Sequence, residues 1–201
     1  MAMTSVIQLN RAGLITSELP KKPGRMMAAS PWPYHNGRTL ENMKRVVILG
    51  RGASGKSTLA VRLGEITGLP VVELDKVFWQ PGLVATPRDH WVAIQERLVA
   101  EEEWIMDGDL GPYDVVEIRL RAADTILLLD FSLLRCAWRA IRRSREGADF
   151  WGWLLAYRWQ GRPILMEAIA NHAVHADLHV FRNPEALWRF VAEVARESRP
   201  G

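Results

Sequence analysis

Nine consecutive residues, Gly50-Arg51-Gly52-Ala53-Ser54-Gly55-Lys56-Ser57-Thr58, carry the plainest chemistry in the chain. They fit G-x-x-x-x-G-K-[ST], the P-loop or Walker A pattern. Gly50, Gly52 and Gly55 let the backbone curl close to a phosphate chain. Successive N–H groups then point inward as an anion nest, and the helix that begins at the loop's end adds its dipole. Lys56 is positioned by the motif to reach the β- and γ-phosphates, and Ser57 to offer its hydroxyl to Mg²⁺. All nine residues are therefore candidate nucleotide contacts.

Other chemistry-bearing residues follow at strand ends and on one helix. Asp75 closes the apolar run Val71-Val72-Glu73-Leu74, at the edge where parallel α/β sheets place ligands. Asp107 and Asp109 end the run Trp104-Ile105-Met106, and Asp130 ends Ile126-Leu127-Leu128-Leu129 in a pattern that looks like Walker B. Arg135, Arg139, Arg142, Arg143 and Arg145 occupy one predicted helix and its end. The first three recur at i, i+4, i+7 and are expected on one face. No acid lies between Phe131 and Arg145, so these arginines lack local ion-pair partners. Arginines in that state suit charge stabilisation on a transferred phosphoryl group. Arg139, Arg142 and Arg143 are accordingly candidate catalytic residues.

The elements that must hold these residues can be read from hydrophobic spacing. Val46-Val47-Ile48-Leu49 predicts a short buried strand before the P-loop, and Leu59 to Ile66 a helix after it. Gly68-Leu69-Pro70 stops that helix. Phe78 to Gly82 reads as a loop, with Trp79 either packed under it or lining a substrate pocket. Thr86 is the expected N-cap of the next helix, with Pro87 first inside. Arg88, near that helix start, is either an acceptor-anion ligand or a solvated surface residue. Residues 146–159 form a loop or short helix that would serve as a lid. Gly161 to Ala173 is helical, Leu178 to Phe181 a fifth strand and Glu185 to Glu197 a closing helix. His172, His175 and His179 lack the cysteine or carboxylate partners of a metal site.

Composition bounds the rest. Hydrophobic residues make up 48% of the chain, enough for one α/β domain with a core, and no stretch is long and apolar enough for a membrane span. The net charge is +3, but residues 1–43 hold five basic and two acidic groups. The chain totals of 26 basic and 23 acidic groups then leave 21 of each in residues 44–201. A near-neutral domain does not point to nucleic acid as partner. The single cysteine, Cys136, suits a reducing cytoplasm. Residues 1–43, broken by Pro20, Pro23, Pro31 and Pro33, read as a disordered leader, and a monomer is the favoured state.

With these pieces in place, residues 44–197 resemble the adenylate-kinase-like P-loop proteins of the "topology modulation" family, within the wider nucleoside monophosphate and shikimate kinase group. The stretches that carry the resemblance are the P-loop, Leu74-Asp75-Lys76 with Trp79, Thr86-Pro87-Arg88 before Trp91, Trp104 to Asp109, and Leu129-Asp130-Phe131 before the arginine helix. The resemblance implies a three-layer α/β sandwich around a five-stranded parallel sheet of order 2-3-1-4-5, with a short lid at about 146–160. That order puts the strand ending in Asp107 beside the P-loop strand. Asp107 with Ser57 would then hold Mg²⁺, with Asp130 the second choice. It also implies that Asp75 faces the acceptor, and that Arg182 and Asn183 border the adenine. True adenylate kinases follow the Asp-Gly of the third strand with Phe-Pro-Arg. Here Asp109-Leu110-Gly111-Pro112 stands instead, which removes the arginine that holds the AMP phosphate.

Two functions follow as expectations. One is a phosphotransferase moving the γ-phosphoryl group of ATP, with Mg²⁺, to a small acceptor, Asp75 orienting or deprotonating the acceptor hydroxyl. The other is a nucleotide-dependent regulator, acting on nucleic acid without turnover. The absence of an Asn/Thr-Lys-x-Asp guanine-reading motif favours ATP.

Overall fold

The computed structural model describes residues 43–143 and 148–198. Alternation dictates the centre of the fold. Strand β1 (Arg45–Gly50) sends Val46 and Ile48 to one face and Val47 and Leu49 to the other, and all four are fully buried. Strand β6 (Thr125–Leu129) does the same with Leu127 and Leu129 against Ile126 and Leu128. Strands apolar on both faces must be covered on both, which is the condition for a parallel sheet sandwiched between helices.

The sheet is five-stranded and parallel, ordered β2-β5-β1-β6-β7, with β2 at Val71–Glu73, β5 at Trp104–Asp107 and β7 at Asp177–Phe181. Numbering only these five strands, the order is 2-3-1-4-5, as the resemblance implied. Helices α1 (Lys56–Thr67), α5 (Leu133–Arg143), α6 (Ala148–Ala156) and α8 (Pro184–Glu197) cover one face with Leu59, Leu63, Cys136, Leu154, Leu187 and Phe190. Helices α3 (Arg88–Val99), α4 (Val116–Ala122) and α7 (Gly161–His172) cover the other with Trp91, Leu120, Leu165 and Ile169.

Three local expectations are corrected. Strand β2 stops at Glu73, and Asp75 lies in the first turn of a five-residue helix, α2 (Leu74–Phe78), rather than at the strand's end. The expected loop from Phe78 to Gly82 is instead the end of α2 and a small antiparallel ribbon of β3 (Trp79–Gln80) and β4 (Val84–Ala85). Thr86 does not cap α3: Pro87 holds that position, and the Thr86 hydroxyl donates to the Phe78 carbonyl. That bond ties α2 to the ribbon's far strand, a use of a buried hydroxyl that competes with capping.

Gly68 does end α1 as its spacing predicted. It adopts a left-handed conformation and donates its N–H to the Gly64 carbonyl. No helix among the described residues is long and apolar enough to cross a membrane.

Candidate active site

The P-loop turns between β1 and α1 on the carboxyl edge of the sheet. Its first glycine is needed for space as well as conformation. Gly50 has φ of 139°, and a Cβ there would lie 2.5 Å from the Leu129 carbonyl of the neighbouring strand. Gly55, with φ of 101°, precedes α1, and a Cβ there would meet the Arg139 guanidinium at 3.1 Å. Strand β1 thus runs hard against β6, and the arginine helix leans over the loop.

Lys56 curls back over the loop and donates to the carbonyls of Gly50 at 2.9 Å and Arg51 at 3.4 Å. Asp107 ends β5, in register with Ile48 of β1. It is buried, and that burial raises its carboxyl above the usual carboxylate range. The nearby Lys56 charge and a hydrogen bond from Ser57 act in the opposite sense. Asp107 Oδ1 has no hydrogen-bond partner. A buried, open carboxylate oxygen beside the P-loop hydroxyl is the donor chemistry that a hard cation such as Mg²⁺ takes, so the residues present fit that ion.

Asp75 is a second carboxylate within the influence of Lys56. Neighbouring atoms crowd its carboxyl and raise its pKa; Lys56 opposes this, while Asp109, Asp114 and Glu73 add to it. The residue keeps substantial solvent exposure, so the upward push is damped by water. Trp79 packs edge-on against Phe78 at 4.9 Å and Tyr113 at 5.9 Å, forming an aromatic wall next to Asp75.

The arginines of α5 do not act as one face. At about 100° per residue, Arg139 is offset by roughly 40° from Arg135 and 60° from Arg142. Arg139 turns inward, with Nη1 3.5 Å from the Ser54 carbonyl. Arg135 and Arg142 are exposed, and Arg142 lies 4.5 Å over the ring of Trp138, one turn back. Arg143 closes the helix; its side chain, like Arg145, lies outside the described residues. The end of the proposed lid next to α5 also falls outside them, while α6 accounts for most of the rest.

Asp130, the alternative metal ligand, is committed elsewhere: both its oxygens accept from Arg162 Nε at 3.1 Å, and Arg162 Nη2 approaches at 3.0 Å. At the far edge, Phe181 is level with Leu129 and Leu129 with Gly50, which brings Arg182 and Asn183 to the same sheet edge as the P-loop. Arg182 is exposed. The Asn183 side chain caps α8, accepting from Ala186 N–H at 2.9 Å. Arg88 is exposed at the start of α3.

Two features escaped the sequence reading. Arg119, fully buried on α4, makes a two-pronged pair with Asp114 at 2.7 and 2.6 Å and also donates to Gln95 Oε1 and the Gly108 carbonyl. This brace fixes the turn from Asp109 to Asp114 that follows Asp107. Burial alone would raise the Asp114 carboxyl, but Arg119 and two backbone N–H groups hold it below its ordinary value. The signal available was an arginine between Ile118 and Leu120, on the apolar side of a short helix, but spacing does not name its partner.

The second is Arg51, whose side chain is 4% exposed and lies 5.1 Å over the ring of Tyr157, just after α6. Tyr157 also lines a cavity of about 400 Å³ with Asp109, Asp114, Glu117, Gln160 and Leu165, between the braced turn and helices α6 and α7.

No protein-family model and no curated protein matches the chain. Solved structures do. A shikimate kinase from Acinetobacter baumannii in complex with shikimate aligns over 81% of this chain and 98% of its own, with TM-score 0.56 and 11% identity. A gluconokinase from Sinorhizobium meliloti aligns over 77% and 89%, at TM-score 0.45 and 20% identity. A sugar kinase from Janibacter aligns over 79% and 99%, at TM-score 0.44 and 20% identity. At such identities the likeness is one of fold: the chain shares the α/β architecture of the shikimate kinase.

Proposed function

We propose that the protein is an ATP-dependent phosphotransferase acting on a small acceptor. The observation that carries the reading is the meeting of Lys56, Ser57 and the open Asp107 oxygen at one point beneath the P-loop. Mg²⁺, when bound, would screen the phosphate oxygens and help stabilise charge during transfer. Ser57 and Asp107 are the residues that would hold it. The loop from Gly50 to Thr58 binds the phosphates through its N–H groups, and Lys56 swings from the Gly50 carbonyl to neutralise the β- and γ-oxygens. Arg139 adds charge above Ser54. Asp75 takes the proton of an acceptor hydroxyl, its raised pKa bringing it nearer the range of a working base. The cavity lined by Asp109, Tyr157 and Gln160 is the acceptor's place, with α6 as part of the lid. Arg182 and Asn183 border the base. Such a reaction depends on positioning and charge more than on covalent chemistry.

The shared fold supports this reading over the regulator, and the near-neutral domain gives nucleic acid no broad surface. The test is turnover of Mg²⁺-ATP against nucleoside monophosphates and small hydroxyl compounds, with Lys56→Ala as control. Lys56-dependent transfer to one acceptor is the expected result. Tight ATP binding with no transfer to any acceptor would overturn the kinase reading.

A further inference from the structure

We propose that the Arg51 side chain is itself a phosphate ligand, and that it grips the terminal phosphoryl group of the bound nucleotide. This rests on the nucleotide-binding reading of the P-loop but not on phosphoryl transfer. In the motif, backbone N–H groups and the lysine do the binding, and the residue after the first glycine needs no particular side chain. Here that residue is an arginine, and it is almost completely buried.

A guanidinium keeps its charge in a folded protein, so burying one demands a counter-charge or hydrogen-bond acceptors. Arg51 has neither on two of its nitrogens. Nε and Nη1 are buried without a hydrogen-bond partner, and among the described residues no carboxylate pairs with it. The acids that act on its neighbour Tyr157 are already engaged: Asp130 with Arg162, and Asp109 with the Gly111 N–H. The Tyr157 ring face offers only a cation–π contact, which is weaker than the cost of desolvating an ion. Arg119, also buried, shows the contrast: its Nε is likewise unpartnered, but a carboxylate meets its two terminal nitrogens.

What Arg51 lacks is an acceptor of full negative charge, which a phosphoryl oxygen supplies. Its position selects the phosphate. Arg51 lies in the P-loop, while the ring beneath it forms a wall of the cavity shared with Asp109. The side chain therefore stands between the phosphate cradle and the acceptor's side, where the terminal group lies and the inner phosphates do not. Tyr157 acts as a platform that keeps the guanidinium flat and in place until the nucleotide arrives.

The experiment compares wild type, Arg51→Met and Arg51→Lys by calorimetric affinity for a non-hydrolysable ATP analogue and for ADP, and by unfolding midpoint without nucleotide. Removing an unpaired buried charge is expected to raise the nucleotide-free Tm of Arg51→Met by about 2 °C or more. The same change is expected to weaken the ATP analogue by about tenfold or more, and ADP by less than about twofold. Arg51→Lys, which keeps charge but loses the planar fork, falls between the two. A lowered Tm with both affinities unchanged would show that Arg51 only packs on Tyr157, and equal losses for both nucleotides would place it on an inner phosphate. Unchanged affinity for both nucleotides with a raised Tm would show that no phosphate of the nucleotide meets the side chain. Each of these overturns the proposal. Failure of the nucleotide reading would show in the wild type, as binding of neither nucleotide; failure of this inference shows only in the variants.

Discussion

Two buried charged clusters lie side by side on the carboxyl edge of the sheet, and they are built in opposite ways. Around Arg119 the chain supplies partners for both terminal nitrogens, from the two Asp114 oxygens, the Gln95 side-chain oxygen and the Gly108 carbonyl, and leaves only Nε without one. Around the P-loop it withholds them: two Arg51 nitrogens, the Ser54 hydroxyl and Asp107 Oδ1 are buried with no partner. A satisfied cluster holds the fold, and removing one member strands the other. An unsatisfied cluster costs the fold something and is retained for what it binds. The difference gives a way to test which charges hold the fold and which serve the proposed site.

The sharpest way to break this contrast is to cut the satisfied cluster. Arg119→Met leaves Asp114 buried without its counter-charge, and is expected to cost about 3–5 kcal/mol in denaturant unfolding. Because the Asp114 pKa is lowered in the fold, its contribution is full above the ordinary carboxylate value and is lost as pH falls through the lowered one. The variant should lose that part of the acid sensitivity. A cost below about 1 kcal/mol would mean the brace is not structural.

Next comes Lys56→Ala. Turnover is expected to fall about a hundredfold, some 3 kcal/mol in barrier, with the unfolding midpoint nearly unchanged. A matching fall in stability would move Lys56 to the structural side of the comparison.

Asp107→Asn goes the other way. Removing a poorly solvated charge should stabilise the nucleotide-free protein by about 1 kcal/mol at pH 7, while the Mg²⁺ dependence of turnover is lost. The Asp107 pKa is raised in the fold, so wild-type stability is full below the unfolded value of 3.8 and declines as pH rises through the folded one. Variant and wild type should therefore converge below that pH and separate above it, read from urea midpoints across pH.

Arg142→Ala should do least. The side chain is exposed on Trp138, and its loss should change stability by less than about 0.5 kcal/mol and turnover by less than about twofold. A larger loss of turnover would restore Arg142 to the site beside Arg139.

How legible this was depended on whether the cause was local. The strand, loop and helix around Gly50 to Thr58 follow from spacing and glycine chemistry alone. The sheet order came through the resemblance, since no property of β1 names its neighbours. Asp75 was misplaced by two residues because Leu74 reads equally as strand or helix, and tertiary packing decides. The α5 arginines were grouped because i, i+4, i+7 approximates a stripe, yet the offset of Arg139 is enough to turn one side chain inward and leave two in water. Arg119 and Arg51 were opaque for another reason. Their states depend on Asp114 in the preceding turn, and on Tyr157 more than a hundred positions away.

The sheet order also has a consequence for assembly. The strand that carries the P-loop is central, but both neighbours are encoded later: β5 begins at Trp104 and β6 at Thr125. On a ribosome the loop emerges early and stays unframed until β6 follows, because the Leu129 carbonyl that crowds Gly50 belongs to that strand. Non-local parallel pairing of this kind forms slowly. The P-loop is thus among the first parts of the domain to be translated but is framed only once β6 has been made, and, on the proposed function, nascent chains that stop before β6 should be unable to hold nucleotide.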